Sequence, residues 1–291
     1  MHSFLKSIGF SKIKSRQDTE RLVELVKSSA TEKRVMKINE DISAAELVME
    51  VADNMGIIVR GEYDKQGEFH AEHFLPYYCS EKVSTAESSY ITKRVETDAY
   101  TVMCEDYRLG VSLIFYLQNA IDYRKARKRG LQELYPIRLS ALALDGKILL
   151  PAMQTEKQLA QKKEEILARS KLILEAKMGN QEAMESLTME DIDQYAIVSK
   201  RIRQEDVYSI VDSTFIPHGS ESDNYLVLGT IREVKSQINF LTQEECYILA
   251  IECNNVDIAV CINKKDLLGE PLPGRRFRGV IWLQGLIEFW V

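Results

Sequence analysis

The stretch Pro273 to Gly285, PGRRFRGVIWLQG, sets a Pro-Gly pair and three arginines beside an apolar alternation, and its reading decides the fold. Pro273-Gly274 suits a type II turn, with proline second and glycine third. Side chains of a strand point alternately to its two faces. Phe277, Ile281, Leu283 and Ile287 therefore share one face, which the pattern assigns to a core. Arg276, Arg278, Val280, Trp282 and Gln284 share the other. Arg276, Arg278, Trp282 and Gln284 are the candidate binding residues, because a tryptophan between arginines suits a ligand platform. The competing expectation buries Trp282 against helices in 156–203, since a large aromatic is usually covered.

Upstream of that strand, four more apolar runs read as strands: VYSIVDSTF, YLVLGTIREVKSQI, CYILAIEC and VDIAVCI, with Asn254-Asn255 as a tight hairpin turn. Five strands in 206–291 predict a small, OB-like β-barrel domain. The segment 153–205 reads as a helical connector. TEKQ from Thr155 opens a long helix that stops at Gly179, and TMED from Thr188 caps another. Residues 1–152 read as an α+β domain with an antiparallel sheet. Its helices are expected after Ser15, after the capping box Ser43 to Glu46 with a stop at Gly56, and before Gly130. Asp145-Gly146 between two apolar runs predicts a hairpin, and STAESS at 84–89 a flexible surface loop. The fold class is α+β overall.

The chain has 291 residues, long enough for two domains, and its composition is that of an ordinary globular protein. The net charge of −6 falls entirely in the second half: 153–291 holds 16 Lys+Arg against 22 Asp+Glu, while 1–152 holds 22 of each. Phosphate neutralisation needs a basic footprint, so this balance argues against nucleic acid as the partner of the C-terminal domain. No run is apolar enough for a membrane span, and five cysteines without a CxxC pair suggest neither disulfides nor a zinc knuckle. A cytoplasmic protein is expected.

No phosphate-binding, nucleophile-elbow or HExxH motif is present. His70 and His73 would point to opposite faces of a strand, which disfavours a shared metal. The run Arg124 to Arg129 suits a helix C-terminus, where cations oppose the macrodipole. Asp191, Asp193 and Glu244-Glu245 define no acid–base pair. The expectation is therefore no catalytic residue, no metal and no cofactor.

The segments NKKDLLGEPLPGRRFRGVIWLQGLIEF, FIPHGSESDNYLVLGTI and MHSFLKSIGFSKI together resemble an uncharacterised family of bacterial proteins found chiefly in clostridia. That resemblance implies that the two halves and the helical middle belong together, and it carries no activity. The leading expectation is a non-catalytic interaction or regulatory protein, with a protein partner or a second copy of itself. The alternatives are a single-stranded nucleic-acid binder acting through the barrel and an enzyme of unrecognised type.

Overall fold

A computed structural model describes residues 2–94, 99–106, 108, 111–131, 134–151, 168–169, 171–176, 178–190 and 213–289. Sheet dominates. The chain divides into two compact units, Met1–Leu149 with Ser213–Val291, and Leu150–Asp212. Residues 1–149 and 213–291 thus share one unit.

The first unit begins with a 3-10 helix, Ser3–Ile8, and α1, Arg16–Ser29. Ser15 caps α1 with the expected reciprocal bonds to Asp18. An antiparallel meander follows: β1 Glu32–Lys37, β2 Ser43–Ala52, β3 Met55–Tyr63 and β4 Phe69–Tyr78. The helix expected at 43–56 is β2 and the start of β3. Residues Ala44 to Met49 are all buried, so β2 is covered on both faces and lacks the alternation that marks a half-exposed strand. Gly56 stops no helix. It sits in β3, where an added Cβ would lie 2.2 Å from the Met49 carbonyl oxygen, and Asn54 at φ 57° makes the turn instead.

The second sheet holds β5 Ser89–Lys93, β6 Tyr100–Asp106, β7 Val111–Leu117, β8 Ile137–Ala143, β9 Gly146–Leu149, β10 Thr214–Pro217, β11 Asn224–Ile238, β12 Glu245–Cys253, β13 Val256–Asn263, β14 Leu267–Leu268 and β15 Arg276–Ile287. Helix α2, Ala120–Arg129, lies between β7 and β8 and ends in the basic run expected there. Asp145-Gly146 does not make a hairpin. β8 and β9 both pair antiparallel with β15, Leu283 with Ala141 and Phe277 with Ile148, so the chain bends between them while staying on one neighbour. Gly146 permits the bend, because a Cβ there would lie 2.4 Å from the Phe277 ring. Ser84 and Thr85 are buried and bond to Ile137, so the start of 84–89 is pinned to β8.

Strands β11, β12, β13, β8 and β15 pair in a closed circuit, with β13–β8 parallel and the other pairings antiparallel. The set differs from the expected one. β8 comes from the first half of the chain, whereas the first candidate strand, 207–215, is described only from 213 and yields the short β10 beside β11. Asn254 and Asn255 take left-handed conformations between β12 and β13, and Gly274 at φ 85° completes the turn before β15. Phe277, Ile281, Leu283 and Ile287 join Leu249, Ile251, Ile258 and Val260 in one core, as the alternation requires. We expect Phe277→Ala to cost about 3 to 5 kcal/mol in chemical denaturation, the usual penalty for emptying a fully buried aromatic site.

The opposite face of the circuit meets the first sheet. Ile248, Cys261, Tyr116 and Trp282 pack with Leu5, Ile8, Leu47 and Ile57 in a second core. A buried ion pair lies within the first sheet, and its arginine reaches across this layer. Arg60 of β3 donates from Nε to Glu46 Oε1 at 2.9 Å, from Nη1 to the Tyr116 hydroxyl at 2.9 Å, and from Nη2 to the carbonyls of Leu117 and Gln118. Glu46 Oε1 also accepts from the backbone N–H of Ala120 at 3.1 Å, at the start of α2. Burial pushes the Glu46 carboxyl up, against the pull of Arg60 and Arg34.

Of the second unit, 171–176 and 181–190 are helical, and Gly179 between them has φ 85°. Thr188 caps nothing. It lies inside the second helical stretch, its hydroxyl donating to the Met184 carbonyl, and Asn180 supports that stretch's start through the Ala183 N–H. The remainder of the expected helices, with Asp191 and Asp193, lies outside the described residues. Among those residues no helix is long and apolar enough to cross a membrane.

Candidate functional site

A cleft of about 250 Å³ opens within the first unit. The 3-10 helix and its approach supply His2, Ser3 and Phe4; β4 supplies His73, β7 Tyr116 and β15 Trp282. Arg94 follows β5, and Glu221, Asp223 and Asn224 come from the turn into β11.

The back wall is aromatic. Trp282 has ring centroids 4.7 Å from His2, 5.4 Å from Phe4 and 5.3 Å from Tyr116. It is 6% exposed, and Asp223 accepts its indole N–H. The segment 156–203, expected to cover it, belongs to the second unit.

Asp223 is the polar anchor. Its Oδ2 accepts from Trp282 Nε1 at 3.0 Å and from Arg94 Nη2 at 2.5 Å. Arg94 also donates from Nε to Thr101 Oγ1 at 2.8 Å, and its guanidinium lies 5.5 Å from the Tyr116 ring centroid. Arg60 approaches the same ring at 5.4 Å. Among the polar atoms of the cleft, His2 Nδ1 and Asn224 Oδ1 are buried and have no hydrogen-bond partner among the described residues. Burial lowers the His2 imidazole to about 4, helped by His73 and the nearby amino terminus, so the ring is neutral at pH 7.

A family model for a domain of unknown function, E. rectale gene description, matches residues 5–285. The chain belongs to the DUF3881 family. That match agrees with the clostridial resemblance and adds no activity. No curated protein and no solved structure matches the chain.

Of the four residues singled out in the sequence of this DUF3881 protein, Trp282 lines the cleft. Gln284 is buried between the sheets, donating to the Pro76 carbonyl and accepting from Gln118 Nε2, both at 2.9 Å. Arg276 is buried beside Thr230 and Leu149, and Arg278 is half-buried beside Leu228 and Lys147. The two arginines do not join Trp282 in the cleft. His73, weighed only as a metal ligand, lines the cleft, whereas His70 bonds Asp64 at 2.9 Å. Simple alternation would put the two histidines on opposite faces of β4, but a register shift that leaves Glu72 unpaired sets His70 opposite Glu62 and His73 opposite Arg60, on one face. Arg94, Asp223 and Asn224 carry no local motif. Their meeting depends on β11 pairing with β15, which puts Asn224 opposite Trp282.

Proposed function

We propose that this protein is a non-catalytic regulatory protein of the cytoplasm that binds a small molecule in the Trp282 cleft. The observation that carries the reading is a concave, aromatic-walled site with buried polar atoms awaiting partners, the usual form of a ligand pocket. An unpaired buried polar group costs about 1 to 3 kcal/mol, which a bound ligand would recover. A binding role fits better than a catalytic one because Asp223 is committed to Trp282 and Arg94. The five unpaired cysteines support the location.

The closed circuit supports an OB-like barrel in which β8 stands where a strand from 207–215 was expected. Fold likeness carries no function. The outward face of β15 at Trp282 and Gln284 is buried, which disfavours the nucleic-acid alternative. A fragment library screened against ¹⁵N-labelled protein tests the binding role. We expect hits to cluster on the Trp282 indole N–H and the Asn224 side-chain amide; hits confined elsewhere, or none, overturn it.

A further inference from the structure

We infer that the ligand of this cleft is a small organic cation of the amine or amidine class. The inference rests on the cleft being a binding site and concerns what it selects.

The charge balance comes first. Arg94 is the one cationic side chain lining the cleft among the described residues, and its charge is matched by Asp223 at 2.5 Å. Arg60, behind Tyr116, is matched by Glu46. Glu221 then stands at the exposed rim without an ion pair among the described residues. An anionic ligand would approach that carboxylate while the Arg94 charge is already committed to Asp223.

The hydrogen-bonding capacity has the same polarity. Asn224 Oδ1 can only accept. A neutral His2 accepts at Nδ1 when its proton is on Nε2. A carboxylate or phosphate offers acceptors and would leave both atoms unsatisfied, whereas an ammonium or amidinium brings several N–H donors. The aromatic wall of Phe4, Tyr116 and Trp282 favours a cation over a neutral donor, because ring faces attract positive charge. The volume limits the ligand to a small molecule.

Benzamidine, its neutral analogue benzamide, and inorganic phosphate separate the possibilities. Trp290→Phe leaves Trp282 as the single tryptophan of the chain. In that background we expect benzamidine to shift the ¹⁵N-labelled Trp282 indole N–H saturably. Glu221→Gln, at an exposed position, should weaken this binding by about five-fold, near the upper range for a surface charge pair. Benzamide or phosphate binding as tightly as benzamidine overturns the cation class and leaves the cleft a binding site. A benzamidine affinity unchanged by Glu221→Gln also overturns it. Should all three probes leave the indole unmoved while library fragments shift it, the class alone falls; when neither probes nor fragments shift it, both inferences fall.

Discussion

Arg60→Ala lowers the stability of the protein by about 3 to 5 kcal/mol, the cost of breaking a buried ion pair by removing one partner. Arg60 is 1% exposed and uses its guanidinium to join Glu46, Tyr116 and the backbone at Leu117 and Gln118. Its removal leaves the buried Glu46 carboxylate with only Arg34, at 3.8 Å, as a cationic partner and leaves two carbonyls and a hydroxyl short of a donor. Urea denaturation reads the loss as a lower midpoint. The companion Glu46→Gln keeps the shape and an acceptor for the Ala120 N–H, so it should cost less than Arg60→Ala. An Arg60→Ala midpoint equal to that of the parent would show that the crossing between the sheets does not depend on the pair.

Glu46 also shows how far the sequence was legible. Its place in Ser43 to Glu46 marks a helix N-terminus, and it does serve one, but the helix is α2. Asn119, at the α2 N-cap position, makes no cap bond and instead holds the end of β15 through Ile287. A local motif could not distinguish these outcomes, because strand pairing over the length of β2 outweighs a cap. The alternation of β12, β13 and β15 was legible, since large aliphatic side chains recur at every second position. Membership of β8 in the circuit was not, because Asp145-Gly146 has the chemistry of a turn and only Phe277 packed on Gly146 shows that it is a bend. The same non-local pairing hid the cleft. Trp282 was found by its residue type, while Asp223 carries no local signal of its own.

Trp282→Ala should cost about 3 to 5 kcal/mol. His2, Phe4 and Tyr116 pack on the indole, and Asp223 accepts its N–H. Trp282→Phe separates these contributions. It preserves most of the packing and removes one donor from Asp223, for a loss of about 1 to 3 kcal/mol. Thermal and urea midpoints of the two variants check the order. Equal midpoints for Trp282→Ala and the parent would mean that the ring is a dispensable surface group, contrary to its burial.

The closed circuit also constrains how the chain reaches its folded form during synthesis. β8 pairs Ser140 with Ala259 and Leu139 with Gly285, partners that emerge from the ribosome roughly a hundred residues later or more. Until then its apolar face has no sheet to join, and closing so long a loop is slow compared with forming the local hairpins β2–β3 and β12–β13. The nascent first half therefore carries an unsatisfied strand, the kind of surface on which chaperones act and partly made chains aggregate.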